Sequence, residues 1–535
     1  LNSKLNIFIS SINTTLSKLN NFHLKTVNII KEKIKKIQLD ATFKSTKSSN
    51  IFNSENKFLK FGQYGREGRQ GSWATFLFLM SILIILIWWL PISNSDTYNW
   101  SKTFQVSNVV VSLSIFILMA FSLNLHTGYT GMVNFGVIFF VGIGAITVAL
   151  LTAPEEMHGY GWDILPAAIV AIMISAIFGW ALAYPTARLR TDYFAIVTIS
   201  LGEILRVLLS GEPLLRTGPI LSSIGLGNYP LPLKEWWFCG PGVRTGADTD
   251  FVNPESCRYA VPELSTPSST ISEIMNLGDP APYSLFLAFL GVIMVLIVWL
   301  LLEALISSPW GRILKSIRED EDVSQHHGHD VLTQKASSLA LGAAIAALAG
   351  VLWAWKLTGF GPTFMAPAKS TFLVWAAFII GGAANNKGMI IGASIIVLME
   401  FVFNVLVAAS TPDLPLYNTA QHIDSAFLWL VTEQWEVTTL FLIILLFGLL
   451  LRFRTISELG FWGALTFSFT AIMMDGERSL DSATNIFGIV SISGANMAYF
   501  KLLLIGALML FSLKFNAKGL LPEVPNRPER PNMEK

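Results

Sequence analysis

Charge is scarce in this 535-residue chain: Asp, Glu, Lys and Arg together make up 14%, against about 25% in soluble domains. So few charges cannot coat a water-facing surface of this size, which excludes a soluble globular fold. Disordered, collagen-like and coiled-coil chains are excluded as well, because each needs a polar or periodic composition that is missing. Cysteine is nearly absent. Cys239 and Cys257 are the two present, too few for a disulfide scaffold or a four-cysteine metal site. No glycine is followed by lysine, so the phosphate-cradling GxxxxGK[ST] loop does not occur and any ATPase would be another chain. HExxH, CxxC and GxSxG are missing too, which leaves catalysis by those routes unsupported. The net charge of +1 says nothing about partners.

What abounds is apolar sequence. Residues of the AVILMFWYC set total 52% and mean hydropathy is +0.54. A spanning helix needs about 20 largely apolar residues. Strong runs lie at 74–92, 105–125, 132–153, 163–185, 284–306, 337–357, 389–409 and 437–453, and weaker ones at 192–210, 371–384, 461–475 and 498–514. The runs are continuous rather than alternating, which excludes a β-barrel. The expected fold is all-α, a polytopic transmembrane helical bundle of about 10–12 spanning helices, two of the twelve runs being re-entrant or tilted.

Lys and Arg in short loops set orientation. Residues 1–73 hold 13 Lys and Arg against 4 acids, a net of +9. They are expected to form a disordered cytoplasmic extension, or a basic amphipathic helix over 22–40 resting on anionic membrane lipid. The chain opens on Leu1 rather than Met, so it is read as a fragment or as one with an unusual start. Arg188, Arg190, Lys387, Arg452 and Arg454 mark inner loops, and Lys514, Lys518, Arg527 and Arg530 place the C-terminal tail, 523–535, inside as well. The long loop 211–282 holds 8 acids and 4 bases, a net of −4, and is read as extracytoplasmic. It contains both cysteines. Outside the membrane a Cys239–Cys257 disulfide is allowed; two buried free thiols are the alternative.

Glycine clusters in two places: Gly128, Gly131, Gly136, Gly142 and Gly144, then Gly381, Gly382, Gly388 and Gly392. In lipid such clusters let helix backbones approach closely, or mark broken helices around a solute path. Glu203 and Arg206 are spaced to pair on one helix face. Glu303 and Lys356 lie near helix ends, where snorkelling suffices. Glu400 lies deeper, either lining a path or capping a helix interface.

The expected cytoplasmic loop 307–335 carries 4 bases and 5 acids. Pro309 opens a helix there, Trp310, Ile313, Leu314 and Ile317 recur at helical spacing, and Gly328 can end it. A short amphipathic helix along the inner face suits docking into a groove of a soluble partner. Its histidines, His326, His327 and His329, lack a committed carboxylate partner, so no metal is expected.

Three blocks resemble the membrane permease subunits of ABC importers for branched-chain amino acids, the LivM-type permeases, with urea-type permeases as relatives. The first runs from Leu123-Asn124-Leu125-His126-Thr127-Gly128 through Gly131, Asn134 and Gly136 to Gly144-Ala145. The second runs from Asp192-Tyr193-Phe194 through Gly202-Glu203 and Arg206 to Thr217-Gly218-Pro219. The third runs from Ser308-Pro309-Trp310-Gly311-Arg312 through Arg318-Glu319-Asp320-Glu321 to Gly328, followed by Gly381-Gly382. The resemblance covers roughly 105–410 and 498–522. It departs where the family often has Ala-Ala after its acidic run, since Ser324-Gln325 and His326-His327 stand there.

The resemblance implies a plasma-membrane permease domain over 74–522, with 410–497 an insert bearing two extra helices. It implies four companions: a homologous second permease subunit, two cytoplasmic ATP-binding subunits and an extracytoplasmic solute-binding protein. Cofactors and nucleic acid are not implied. Arg312, Arg318, Glu319, Asp320 and Gly328 would couple to the ATPase. Gly128, Gly131, Asn134, Gly136, Tyr193, Glu203, Gly381 and Gly382 are candidates for the translocation path. Two other classes stay open. A secondary transporter would use Glu203 and Glu400 as ion sites, and an integral-membrane enzyme would use the acidic run Glu319–Asp322.

Overall fold

The computed structural model of the chain describes residues 69–89, 98–154, 159–186, 191–211, 226–227, 229–239, 266–367, 370–408, 416–432, 434–451, 454–475, 494–515, 519–521 and 523. The expected extension lies outside these as far as residue 68, as do Arg188, Arg190 and Cys257. The chain divides into two units, Leu1–Leu77 with Asn526–Lys535, and Phe78–Pro525. The second holds the bundle; of the first, the start of one helix is described.

The elements in chain order are α1 (Arg69–Trp88), α2 (Tyr98–Leu123) with a π-helical continuation at Asn124–Tyr129, α3 (Val137–Thr152), α4 (Ile164–Thr186) and α5 (Thr191–Gly211). Next come α6 (Lys234–Cys239), α7 (Pro267–Met275), α8 (Tyr283–Ser307), α9 (Pro309–Glu319), α10 (Glu321–His326) and α11 (Val331–Leu357). The last are α12 (Thr371–Gly381), α13 (Asn386–Ala408), α14 (Tyr417–Thr432), α15 (Gln434–Leu451), α16 (Arg454–Asp475) and α17 (Gly494–Phe515). A two-residue antiparallel ladder pairs Leu226 with Phe360 and Gly227 with Gly359. Each of the twelve apolar runs contains a described helix. Among the described residues six helices are long and apolar enough to cross a membrane. Others are shorter: α12 has 11 residues, about 16 Å at 1.5 Å per residue, or half of the ~30 Å hydrocarbon core.

The core forms around α11. Its sequence is rich in Ala, Gly and Ser from Lys335 to Gly350, with Leu339, Leu341, Ile345 and Leu348 spaced among them, and turns bulky at Leu352, Trp353 and Trp355. Small residues let α2, α3 and α4 pack against it at backbone distance, the main route to helix association where lipid is as apolar as the side chains. At Gly350 an added Cβ would lie 2.1 Å from the Val141 carbonyl oxygen of α3. On the outer side of the bundle, Leu165, Ile293 and Leu300 stay exposed, as a lipid-facing surface requires.

α12 and α13 form an antiparallel hairpin, with Gly381 against Gly388 and Gly392 against Ala377. Between Leu357 and α12 the described residues hold the Gly359–Phe360 strand and a 3-10 turn at Pro362–Met365, and Met365 packs at Gly142 in the middle of α3. A small apolar cap closes one end of the bundle, where Trp237, Leu277 and Ala281 are buried with Trp100 beside them. Trp237 and Trp100 donate their indole N–H groups to the carbonyls of Ala281 (3.1 Å) and Pro280 (3.0 Å). Cys239 in this cap is disulfide-bonded.

Two boundaries differ from the sequence reading. The run 132–153 begins as a helix at Val137, because Thr130–Gly136 is held open by side-chain hydrogen bonds described below. The amphipathic segment after Pro309 is two helices, because Asp320 leaves helical geometry (φ −156°) and its carboxylate caps the second at Val323 N (3.0 Å).

Candidate coupling junction

The long helix formed by α2 and its π-helical continuation ends in a knot of polar groups. α2 is largely apolar from Val109 to Leu123; then Asn124, His126 and Thr127 enter, and all three find partners. Asn124 is fully buried. Its Nδ2 donates to Asn386 Oδ1 (2.9 Å) and its Oδ1 accepts from Ala384 N (2.8 Å). One amide thus fixes the turn between α12 and α13 against the end of α2. Gly128 fits over it, since a Cβ there would lie 2.8 Å from Ala384 N.

Asn134 Nδ2 donates to His126 Nδ1 (2.9 Å), which leaves Nε2–H to donate to the Leu339 carbonyl (3.3 Å). Asn134 Oδ1 accepts from Gly136 N (2.7 Å). Thr130 Oγ1 donates to the Leu125 carbonyl (2.9 Å) and lies 2.7 Å from Ser338 Oγ. These bonds satisfy the backbone that the π segment and the open stretch to Gly136 leave unpaired, the condition for non-helical chain inside a bundle.

The amphipathic helix reaches this knot through Arg318. Leu314 and Ile317 are buried, anchoring α9 to the bundle. Arg318 Nη1 donates to the Gly128 carbonyl (2.5 Å) and Nη2 to Glu523 Oε2 (2.7 Å). Lys315 Nζ pairs with Glu523 Oε1 at 2.8 Å. Gly131 has φ +80°, and a Cβ there would stand 3.3 Å from Arg318 Cα. The tail then closes the assembly. Leu520 N and Leu521 N donate to the carbonyls of Ile380 (2.8 Å) and Gly381 (3.0 Å), capping α12. Gly382, at φ +108°, lets the chain turn beneath Gly519. Glu321 binds Lys335 at 2.6 Å and ties α10 to α11.

Around α9 and α10 the other coupling candidates face outward: Arg312, Glu319, Asp320 and Gly328 are exposed, with Asp322, Val323 and Gln325. Ser324, by contrast, is buried and donates to the Asp320 carbonyl (2.8 Å). Asp330 caps α11. Its carboxylate accepts from Thr333 Oγ1 and Thr333 N, and these bonds hold its pKa below the ordinary 3.8.

The junction gathers Gly128, Gly131, Asn134, Gly136, Gly381, Gly382 and Arg318 from the sequence candidates. Two others stand elsewhere. Tyr193 is 58% exposed on α5, and Glu203 pairs with Arg206 on a part-exposed face of the same helix. Lys356 departs from the snorkelling expectation by donating to Ser112 Oγ. Asn124, His126, Ser338, Asn386 and Glu523 were not singled out. The signal for the first two is polarity at the close of an apolar run. Ser338, Asn386 and Glu523 acquire meaning through partners far along the chain.

The chain matches, over residues 105–450, the family described as branched-chain amino acid transport system / permease component. It is 29% identical to the high-affinity branched-chain amino acid transport system permease protein LivM of Salmonella typhimurium, over 60% of this chain and 67% of that protein. The LivM protein of Escherichia coli is 28% identical over the same shares, 60% and 67%. A LivM permease of Methanocaldococcus jannaschii is 24% identical over 58% of this chain and 86% of its own length. No solved structure matches. With well over half of its length covered by that family's pattern, this multi-pass membrane chain belongs to the branched-chain amino acid transport permease family.

Proposed function

We propose that this chain is the transmembrane permease subunit of an ATP-driven importer of branched-chain amino acids in the plasma membrane. Its companions on this reading are a homologous permease subunit, two cytoplasmic ATPase subunits and an extracytoplasmic solute-binding protein. It performs no covalent chemistry itself. Both termini and the α9–α10 elbow face the cytoplasm, and the cap with Cys239, linked to Cys257, faces outward. The exposed face of Arg312, Glu319, Asp320 and Asp322 meets the ATPase.

The observation that carries this reading is the double engagement of Arg318, which holds the Gly128 carbonyl and Glu523 at once. A push on α9 therefore acts on the broken end of α2 and on the tail that caps α12. The path candidates around this junction move with it; Tyr193 and Glu203 on α5 adjoin it through Thr198, which touches Gly136.

The test is ATP-driven uptake of labelled leucine by the reconstituted complex. Arg318→Gln is expected to lower uptake at least tenfold while the ATPase subunits still co-purify. Unimpaired uptake by this variant would overturn the coupling route, and uptake without any ATPase would replace the importer with an ion-coupled transporter.

A further inference from the structure

Three acids interrupt the apolar stretches of α5, α8 and α13: Glu203, Glu303 and Glu400. Ionised groups inside a membrane bundle are costly, and they pair with one another or mark a working route. Two of the three face a cation. Glu203 is paired with Arg206. Glu400 and Lys356 share the wall of a cavity of about 490 Å³ between α2, α11 and α13, beside Trp353. Their charges attract each other, and Lys356 also donates to Ser112 Oγ. Glu303 is different. Among the described residues it belongs to no ion pair. Its carboxylate turns inward, against the snorkelling expectation: Oε1 accepts from Asn386 Nδ2 at 3.5 Å, and Asn386 is 1% exposed. The Glu303 charge is also felt at the hydroxyl of the buried Tyr129.

This bond starts a row of three. Asn386 Oδ1 accepts from Asn124 Nδ2 (2.9 Å), and Asn124 Oδ1 accepts from Ala384 N (2.8 Å). A carboxylate only accepts, whereas each amide has one side that donates and one that accepts. Glu303 therefore fixes which way both amides point, and that direction is the one that leaves an oxygen for Ala384 N. The far end of the row is a strained turn. Ala384 has φ +56°, a left-handed position that is disfavoured for a residue with a Cβ and persists where its surroundings hold it. The near end lies less than two helical turns before Pro309, where α8 passes into the elbow. The first bond is longer than the ordinary N–H···O length of about 2.9–3.0 Å, and the other two are not. The slack in the row thus sits where α8 meets α13.

We propose that Glu303 is a positioning residue of the coupling route, the start of a relay that carries movement of the α8–α9 joint to the turn between α12 and α13. When the elbow is pushed, α8 moves toward α13, the Glu303–Asn386 bond shortens, and the two amides pass the shift to the strained Ala384 turn. The relay is separate from Arg318, which acts on the Gly128 carbonyl and the tail. Glu303 works here as a hydrogen-bond acceptor and not as an ion or proton site, so a neutral side chain with an oxygen in the same place serves equally. This inference rests on the importer reading and adds a second lever to the same junction.

The experiment uses the full chain reconstituted with its ATPase subunits and solute-binding protein. It reads hydrogen exchange at the Ala384 amide, and the number of ATP molecules hydrolysed per leucine taken up. Glu303→Ala is expected to speed exchange at Ala384 at least fivefold, to leave exchange at Leu520 within twofold, and to raise the ATP-to-leucine ratio at least fivefold with the ATPase subunits still bound. Glu303→Gln keeps the accepting oxygen and should stay within twofold of the unsubstituted protein on both readings. Glu303→Ala with Asn386→Ala should be no worse than either alone, whereas Glu303→Ala with Arg318→Gln should multiply the two losses. Where Glu303→Ala does not assemble, Asn386→Asp, which cannot donate to Glu303, carries the same expectation. Unchanged exchange at Ala384 overturns the relay. So does a Glu303→Gln variant as impaired as Glu303→Ala, the result for an ion or proton site, and so does a multiplied loss in the Glu303–Asn386 pair. Faster exchange with an unchanged ATP-to-leucine ratio overturns the positioning role. Exchange at Ala384 is measured without nucleotide and does not depend on the importer reading, which fails separately if the unsubstituted complex takes up leucine without ATP.

Discussion

At the residue scale the junction depends on single polar side chains with long reach. Asn124→Ala removes two hydrogen bonds and leaves the Ala384 N–H and the Asn386 side chain without their partner. A buried donor so orphaned costs about 1–3 kcal/mol. The expected outcome is a lowered melting temperature of the detergent-solubilised protein, with Asn124→Asp no better, because a carboxylate cannot donate to Asn386 Oδ1. Asp330 gives a pH-dependent counterpart. Its pKa is lowered by the Thr333 bonds, so its capping is fully present above the ordinary carboxylate value of 3.8 and is lost as pH falls through its lower folded value. Hydrogen exchange at the amide of Thr333 should therefore accelerate in acid below about pH 4 in the native chain. Asp330→Asn should remove that acid-dependent rise.

At the element scale, two helices were interrupted where local chemistry competes with hydropathy. Hydropathy places every one of the twelve apolar runs in a helix, because twenty apolar residues in lipid have no better way to satisfy their backbone. The same index is blind to the opening between Thr130 and Gly136, where Thr127, Thr130 and Asn134 supply bonds that a helix would otherwise make. It is blind also to the step at Asp320. The acidic run could be read as the start of a cap, but helical spacing across Pro309–Ile317 extends the pattern past it. The sequence candidates at Gly128 to Gly136 and Gly381–Gly382 do converge. Arg318 was legible as a residue of the elbow, whereas its inward direction was not, since Gly128 and Glu523 lie 190 and 205 positions away. Gly131→Ala belongs to this scale. It forces a side chain into a left-handed backbone position against Arg318 Cα, costing about 1–2 kcal/mol before any clash. The expected result is a strong loss of ATP-driven uptake, measured in proteoliposomes, with the ATPase subunits still bound.

For the whole molecule, one short tail segment links three parts of the bundle. Residues 519–521 cap α12, Asn385 Nδ2 donates to the Leu521 carbonyl (3.1 Å), and Glu523 pairs with two cations of α9, Lys315 and Arg318. Elbow, hairpin and tail therefore respond together. Glu523→Gln weakens both ion pairs and keeps the shape. The expected result is faster trypsin cleavage at Lys315 and Arg318, by roughly threefold or more, together with faster amide exchange at Gly382 and Leu520. Unchanged cleavage in the presence of normal exchange would show that the tail is held by its backbone bonds alone.

The wall of the cavity beside Trp353 carries one positive and one negative side chain, and this balance has an electrical meaning. Moving a single elementary charge through a membrane potential of 100 mV involves about 2.3 kcal/mol. Lys356 and Glu400 together sum to zero, so a rearrangement that carries both does no such work. Glu400→Gln would leave a lone cation in that wall and expose it to the membrane voltage.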